Sequence, residues 1–374
     1  MLSNSNDNLS DNIESYETAF NGLLNEDGFS LLQAEKTERL KPLLQQLHQH
    51  HLSHCLQYQN IFSSYDIGPF SLSGELQHYP YLAVRLFKYL SLSSVSDEVV
   101  FKTLYSSGTT SQTPAKVILD RDTAVRQSKV LVKILQGFIG KSRLPMLIID
   151  SPDVVNGRET YSARGAGIQG LSLFGRDHTY ALDNQMQLNM PVIEAFCEKY
   201  RNKPVLLFGF TFMVWKYFIQ ALKSKNLSFD LPDGILIHSG GWKKLEAEKV
   251  SNHSFKQTVA ETLNLSRVHN FYGMAEQVGS IFVECEAGHL HTPVFADLLI
   301  RDPFTLEPLT LHQKGLIQVI STLPTSYPGH SILTEDLGVV LGVDDCACGR
   351  KGKYFSVEGR LPKTEMRGCS DTAQ

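Results

Sequence analysis

The first 95 residues carry apolar positions at the spacing of amphipathic helices. Their clearest run is a set of leucines: Leu40, Leu43, Leu44, Leu47 and Leu52. Apolar residues three and four positions apart fall on one face of a helix. Residues 1–95 are therefore predicted to be a mainly helical part of the same domain as the residues that follow. Four histidines are interleaved with the end of this leucine run and are expected on the solvated face of the helix: His48, His50, His51 and His54.

Residues 96–292 alternate between short apolar runs and helical patterns. The runs typical of buried parallel strands are 146–149, 205–208 and 235–237. Before the first of them, a helix is predicted to begin after Asp120 or Asp122, either of which can cap it, and to end at Gly140. This alternation predicts an α/β fold with layered, mostly parallel sheets. Ligands of such sheets bind at the carboxyl ends of the strands, so the loops that follow the strands are the first candidates for a site.

The pattern changes near residue 293. The segments 298–300 and 316–320 resemble the strands of hairpins, which predicts a smaller antiparallel, β-rich subdomain over residues 293–360. Residues 96–292 would then form the α/β core, and residues 361–374 a flexible C-terminal tail.

Composition and charge exclude several classes of protein. The 374 residues have a formal net charge of −4 and no basic block, which argues against nucleic acid as the partner. No apolar run approaches the roughly 20 residues of a membrane span. The first 12 residues lack the pattern of a secretory signal, so we expect a cytoplasmic protein whose thiols stay reduced.

A hydroxyl-rich loop follows the apolar residues 99–101. It contains Ser106, Ser107, Gly108, Thr109 and Thr110, with Lys116 beyond them. Backbone N–H groups and hydroxyls in such a loop can bind phosphate oxygens, and a glycine lets the backbone approach a ligand closely. On its own, the loop fits a phosphate site and a polar surface turn about equally well.

Three further motifs follow this loop in a fixed order. They are Tyr272-Gly273-Met274-Ala275-Glu276, Thr334-Glu335-Asp336-Leu337-Gly338, and Gly359-Arg360 followed by Lys363. Together with Ser107–Thr110, this order resembles the adenylate-forming superfamily of acyl- and aryl-ligases. The segments 288–293, 323–330 and 367–372 closely resemble LuxE-type acyl-protein synthetases. The resemblance covers about residues 106–372.

This resemblance implies the fold and a set of ligands. The fold would be the large N-terminal-type domain of the superfamily, without the usual full C-terminal mobile domain. Residues 106–110 would hold the phosphates of ATP, Glu276 would bind Mg²⁺ near the α-phosphate, and Asp336 would accept hydrogen bonds from the ribose hydroxyls. The other residues implied to line the nucleotide or acyl site are Gly240, Gly241, Tyr272, Gly273 and Arg360, the last at the interdomain hinge.

The catalytic lysine of the superfamily lies on that mobile domain. Lys353 and Lys363 are the nearby candidates for assisting adenylation in this chain. The acceptor of the acyl group would be Cys369, because LuxE-type enzymes carry their acyl-accepting cysteine in a short tail of this kind. A thiolate can attack the carbonyl of an acyl-adenylate, and Arg367 nearby would favour the thiolate. The alternative is an incidental C-terminal cysteine.

Four residues of the C-terminal part have the composition of a zinc site. They are Cys285, His291, Cys346 and Cys348. Three thiolates and an imidazole suit tetrahedral structural zinc, and relatives resembling phenylacetate-CoA ligase carry zinc there. His289 is the rival ligand, and cysteines that are merely adjacent remain the alternative.

The predicted function is therefore that of an ATP-dependent fatty acyl-protein synthetase. It would form acyl-AMP, load Cys369 as a thioester and pass the acyl group to a partner acyl reductase, with which it could form a hetero-oligomer. An acyl- or aryl-CoA ligase that uses CoA directly is one alternative. A catalytically silent nucleotide-binding scaffold is another, since Ser111 stands where the superfamily usually has glycine in the phosphate loop.

Overall fold

The computed structural model describes residues 7–63, 75–106, 114–156, 163–242 and 248–361. Its helices are α1 (Asp7–Leu24), α2 (Gln33–His54), α3 (Leu56–Ser63), α4 (Leu86–Tyr89), α5 (Arg121–Ile139), α6 (Asp153–Asn156), α7 (Ala163–Ser172), α8 (Met190–Lys199), α9 (Ala221–Ser224) and α10 (Asn252–Leu263). A π-helical segment, Met213–Gln220, leads directly into α9.

The strands of the first half are β1 (Leu82–Ala83), β2 (Lys102–Tyr105), β3 (Lys116–Leu119), β4 (Leu144–Ile148), β5 (Gly175–Tyr180), β6 (Leu206–Phe210) and β7 (Ile235–Ser239). Those of the second half are β8 (Arg267–Tyr272), β9 (Phe282–Glu284), β10 (Leu290–His291), β11 (Ala296–Arg301), β12 (Lys314–Ser321), β13 (Ser331–Val343) and β14 (Lys353–Arg360).

Twelve strands form one sheet in the order β11-β12-β13-β14-β10-β9-β8-β7-β6-β4-β5, with β1 added beside β13. The strands β5, β4, β6, β7 and β8 are parallel, and the three predicted apolar runs lie in β4, β6 and β7. From β8 to β9 the pairing becomes antiparallel. One sheet thus runs through both parts, and the division at residues 95, 292 and 360 stays a prediction about folding units.

Helices cover both faces of the parallel half. Leu206 and Phe208 belong to a core cluster with Ile134 of α5, whereas Leu207 belongs to a second cluster with Phe218 and Val259 on the other face. Alternate residues of a strand point to opposite faces, so a strand buried on both sides is apolar throughout. This explains why the sequence shows continuous apolar runs here and not alternation.

Helix α5 begins and ends where its caps predict. The Thr123 N–H donates to Asp120 Oδ1 at 2.8 Å, so Asp120 and not Asp122 is the N-cap. Gly140 ends the helix with φ of +88°, a conformation that favours glycine. The prediction for this helix is confirmed.

The prediction that the histidines of α2 are solvated is wrong for two of them. His48 and His51 are 6% and 0% exposed. His48 Nδ1 lies 2.7 Å from the Tyr58 hydroxyl, and His51 Nδ1 lies 2.7 Å from Ser94 Oγ. The Tyr58 hydroxyl in turn lies 3.2 Å from Nε2 of His330, the residue that precedes β13. Helix α2 is covered on this side as well as on its leucine side, and the buried ring nitrogens find hydrogen-bond partners there.

Candidate active site

The carboxyl end of β7 forms a tight glycine turn. Gly240 follows Ser239 with φ of +85°, and a Cβ at Gly240 would lie 3.1 Å from Phe210 Cδ1. The Ser239 hydroxyl donates to the Phe271 carbonyl of β8 at 2.9 Å, which ties the ends of the two strands together. Gly240 and Gly241 therefore lie at the strand ends where the parallel sheet predicts a ligand.

The hydroxyl-rich loop begins directly after β2 and leads to β3. The Ser106 N–H donates to the Ala115 carbonyl at 3.0 Å, and the Ala115 N–H donates to Ser106 Oγ at 2.9 Å. Ser106 thus closes the base of the loop. The predicted phosphate ligands Ser107, Gly108, Thr109 and Thr110 lie outside the described residues.

Tyr272, Asp336 and Arg360 meet at one carboxylate. The Tyr272 hydroxyl donates to Asp336 Oδ2 at 2.8 Å, and Arg360 Nε donates to Asp336 Oδ1 at 3.0 Å. Asp336 and Arg360 are direct partners in the β13–β14 ladder, which explains their proximity. Burial, with the neighbouring Asp336 charge, raises the pKa of Tyr272 well above its usual value, so the phenol stays a donor. Each carboxylate oxygen keeps a lone pair for a further hydrogen bond.

Glu276 lies on the single-turn 3₁₀ segment Ala275–Gln277 and is 7% exposed. Burial raises the pKa of its carboxyl group, and the charges of Lys88 and Arg360 oppose that rise. A Cβ at Gly329 would lie 2.7 Å from the Glu276 carbonyl oxygen, so the two backbones are closely packed. Gln277 Nε2 donates to the Gly329 carbonyl at 2.8 Å, a second contact that holds the turn against Gly329. The carboxylate is a hard oxygen ligand of the kind that Mg²⁺ binds.

Sequence reasoning did not identify the residues that support Glu276 from elsewhere in the chain. Lys88 comes from α4, near the N-terminus, and Tyr327 is a buried ring beside Gly329. Arg85 forms an ion pair with Glu335, the neighbour of Asp336. Only the β1–β13 pairing brings this segment beside the Asp336 motif, so the local sequence does not reveal it.

Lys353, one of the two candidates for assisting adenylation, is held away from Arg360 and the nucleotide motifs. Its Nζ lies 3.1 Å from Asp297 Oδ2 and donates to the Leu298 carbonyl at 2.8 Å. It is also at the opposite end of β14 from Arg360, a separation of about 23 Å along an extended strand. Lys353 therefore serves a buried ion pair. Lys363 lies outside the described residues.

The four predicted zinc ligands come together. One ligand atom from each of Cys285, His291, Cys346 and Cys348 lies within 4.8 Å of the other three. The Sγ atoms of Cys285 and Cys346 are 3.8 Å apart, and Cys348 Sγ lies 3.3 Å from His291 Nε2. A tetrahedron with ordinary zinc–ligand bonds has edges of about 3.6–3.8 Å, so the donor set fits the metal. His289 Nδ1 lies 3.5 Å from Cys346 Sγ, just outside this group.

The predicted acyl acceptor Cys369 and its neighbour Arg367 lie outside the described residues. None of the helices in the described ranges combines the length and apolarity needed to span a bilayer.

Comparison with known proteins gives the family. The profile of the LuxE acyl-protein synthetase family matches residues 5–374. Two curated relatives are each named long-chain-fatty-acid–luciferin-component ligase. The relative from Vibrio harveyi is 23% identical over 346 residues, which are 90% of this chain and 87% of that protein. The relative from Aliivibrio fischeri is 26% identical over 195 residues, so the chain spans about half (51%) of that protein's length.

Solved structures give the fold. An open conformation of 2-hydroxyisobutyryl-CoA ligase, in complex with 2-HIB-AMP and CoA, aligns with a TM-score of 0.69 at 15% identity. The alignment covers 91% of this chain and 78% of that one. The same enzyme in its thioesterification state gives a TM-score of 0.69 at 14% identity, covering 90% and 70%. The predicted α/β fold of adenylate-forming enzymes is confirmed.

A profile that matches nearly the whole chain shows more than a shared fold. It confirms the predicted resemblance and, through relatives named as ligases, the predicted class of enzyme. The chain belongs to the LuxE acyl-protein synthetase family.

Proposed function

We propose that this protein uses ATP to activate a fatty acid and then carries the acyl group as a thioester on Cys369. The observation that supports it most is the carboxylate of Asp336, held between Tyr272 and Arg360 in a member of the LuxE family. Glu276 lies within electrostatic reach of both Arg360 and Asp336. A ribose ligand and a magnesium ligand would thus be neighbours.

In the first step a carboxylate oxygen of the fatty acid attacks the α-phosphorus of ATP. The new bond is between that oxygen and phosphorus, and the bond from the α-phosphorus to the leaving pyrophosphate breaks. Asp336 would accept from the ribose hydroxyls with the lone pairs that Tyr272 and Arg360 leave free. Glu276 would hold Mg²⁺, which when bound supplies charge neutralisation at the phosphate oxygens.

In the second step the Cys369 thiolate attacks the acyl carbonyl, a carbon–sulfur bond forms and AMP leaves with the electron pair of the broken carbon–oxygen bond. The acyl group would then pass to a partner acyl reductase, in the cytoplasm and within a hetero-oligomer. Here LuxE membership supports the proposal.

The acyl chain would lie beside the glycine turn of β7. Trp242 follows that turn, and its ring centre lies 5.7 Å from that of Trp215 and 6.4 Å from that of Phe255. The rings of Trp215 and Phe255 are themselves 5.7 Å apart. These three rings belong to the buried core on one face of the sheet, so they would support the turn from behind while the acyl chain lies against it. Gly240, Gly241 and Gly273 would let the adenylate approach the backbone.

A zinc ion would have a structural role. Cys285, His291, Cys346 and Cys348 would hold it, with no position left for substrate, because a four-ligand site is closed. When bound, it would crosslink the β9–β10 hairpin to the loop between β13 and β14.

Labelled fatty acid tests the covalent route. Incubation of the full chain with ATP, Mg²⁺ and radiolabelled fatty acid should leave label on the protein that hydroxylamine releases. Cys369→Ser should lose the label and keep fatty-acid-dependent exchange of pyrophosphate into ATP, whereas Cys197→Ser, a half-buried cysteine on α8, should behave as wild type. Equal labelling of Cys369→Ser and wild type would disprove the thioester.

The same assays separate the alternatives. A CoA ligase would release AMP only with CoA and would keep that activity without Cys369. A silent scaffold would give no pyrophosphate exchange with any fatty acid.

A further inference from the structure

The parallel half of the sheet has a crevice between the carboxyl ends of β4 and β6. Strand β4 pairs with β5 on one side and with β6 on the other. The connection to β5 runs over one face through α7, and the return to β6 runs over the other face through α8, since Ile168 and Ile193 belong to opposite core clusters. Where connections diverge in this way, α/β sheets bind ligands at the ends of the two strands.

Arg164 of α7 lies across this crevice. Its Nε lies 3.1 Å from Oδ2 of Asp150, two residues beyond β4. Its Nη1 lies 4.0 Å from Sδ of Met213, the first residue of the π-helical segment that follows β6. The Asp150 side chain is 1% exposed and that of Arg164 is 33% exposed. The guanidinium is therefore anchored to a buried carboxylate on one edge and accessible to a ligand on the other.

A single aromatic ring joins α7 to the glycine turn of β7. A Cβ at Gly167, one turn of α7 after Arg164, would lie 3.0 Å from Phe210 Cζ. The same ring packs against Gly240, where a Cβ would lie 3.1 Å from Phe210 Cδ1. A side chain at either glycine would crowd the ring, so both allow a close approach. Helix α7 is thus in contact with the strand ends where the acyl-adenylate is proposed to form.

We propose that Arg164 binds the carboxylate of the fatty acid before adenylation, with Asp150 as its positioning residue. This inference rests on the proposed function and deepens it by naming the group that recognises the acid end of the substrate. The Nε edge of the guanidinium faces Asp150, so the terminal nitrogens keep N–H groups for the paired hydrogen bonds that arginine makes with a carboxylate. Because Asp150 already holds the side chain, little ordering is left to ligand binding.

Two ligands that differ only in their head group test this role. Dodecanoic acid and dodecanol are titrated by calorimetry into the full chain as wild type, Arg164→Gln and a control, Arg201→Gln. Arg201 is exposed and precedes β6, at the opposite end of that strand. We expect Arg164→Gln to weaken the acid by about 10- to 100-fold and to leave the alcohol unchanged, because the alcohol has no charge for the guanidinium to pair with. The KM for fatty acid in pyrophosphate exchange should rise by the same factor, with the KM for ATP as in wild type.

Further variants separate recognition from folding. Arg164→Gln leaves the buried Asp150 without its cation, which destabilises the fold. Asp150→Asn combined with Arg164→Gln removes both charges and should recover the melting temperature but not the binding of the acid. Asp150→Asn alone should weaken the acid less than Arg164→Gln does and leave the alcohol unchanged, since the guanidinium stays but loses its anchor.

The outcomes distinguish the possible failures. Unchanged binding of the acid by Arg164→Gln overturns the inference, and so does an equal loss for acid and alcohol. Recovery of acid binding in the double variant would show that the ion pair is only structural. Wild-type protein that gives no pyrophosphate exchange with any fatty acid would overturn the proposed function itself, whereas exchange that is unaffected by Arg164→Gln would overturn only the role of Arg164.

Discussion

Asp336 is the residue on which most of the proposed nucleotide site depends. Its two oxygens each receive one donor from the protein, from Tyr272 and from Arg360. The position is set by the β13–β14 ladder, so the carboxylate is held before any ligand arrives. A group of this kind is costly to replace even by one of the same shape.

Asp336→Asn is expected to lower fatty-acid-dependent pyrophosphate exchange by about 10- to 100-fold, mainly through the KM for ATP. The amide N–H₂ would face either the Tyr272 hydroxyl or the Arg360 guanidinium, both donors in the native protein. Asp233→Asn, at an exposed position before β7, is the matched control. A KM for ATP that is the same in Asp336→Asn as in wild type would contradict the ribose role.

The motif residues could be predicted from sequence, whereas the groups that support them could not. Tyr272, Glu276, Asp336 and Arg360 are recognisable by spacing and order. Arg85 is not, because its ion pair with Glu335 depends on a strand pairing between residues 82–83 and 332–333. Nothing local to α4 indicates that pairing.

At the scale of elements, local chemistry predicts boundaries well. The cap of α5 could be narrowed to Asp120 or Asp122 from sequence, and only the Asp120–Thr123 hydrogen bond decides between them. The apolar runs of β4, β6 and β7 could be recognised because strands buried on both faces have no polar side. The histidine face of α2 could not, since the partners that bury it, Ser94 and His330 among them, are distant in sequence.

The zinc cluster makes a prediction for two elements at once. The purified protein is expected to contain about one zinc per chain, and Cys346→Ser should lose the metal and lower the melting temperature by several degrees. The metal would join the β9–β10 hairpin to the loop after β13, whose Cys285 and Cys346 sulfurs are 3.8 Å apart, and its binding energy would add to the folding free energy. Metal analysis and thermal unfolding measure both effects.

Cys197→Ser is again the control, because Cys197 on α8 lies outside the cluster. Two results together would show that the four residues are only neighbours. The protein would be free of zinc after purification without chelators, and added zinc would not raise its melting temperature.

At the scale of the whole molecule, the buried histidines link folding stability to pH. Burial lowers the pKa of His48 to about 4, and it lowers the pKa values of His51 and His330 well below the usual 6.5. The unfolded chain therefore binds more protons than the native protein below pH 6.5. The stability from these neutral rings is complete above pH 6.5 and is lost as the pH falls towards 4.

Urea unfolding between pH 7.5 and 4.5 measures this effect. The free energy of unfolding should fall with decreasing pH, and His48→Gln should make that fall shallower by up to about 1.4 kcal/mol per pH unit, the contribution of one proton. Gln49→Ala, which changes an exposed residue of the same helix that does not titrate, should leave the slope as in wild type. Identical slopes for His48→Gln and wild type would contradict the linkage.

The pairing of β1 with β13 also has a consequence during synthesis. Leu82 and its partner Ile332 are 250 positions apart, the same separation as that of Arg85 and Glu335. At about 5–20 residues per second, a ribosome needs on the order of 10–50 s to make the second partner after the first. Throughout that interval the nascent β1–α4 segment lacks β13, and Phe87 lacks the Tyr327 ring that it packs against in the native protein. Arg85, the partner of Glu335 beside Asp336, is thus translated early but reaches its final position late.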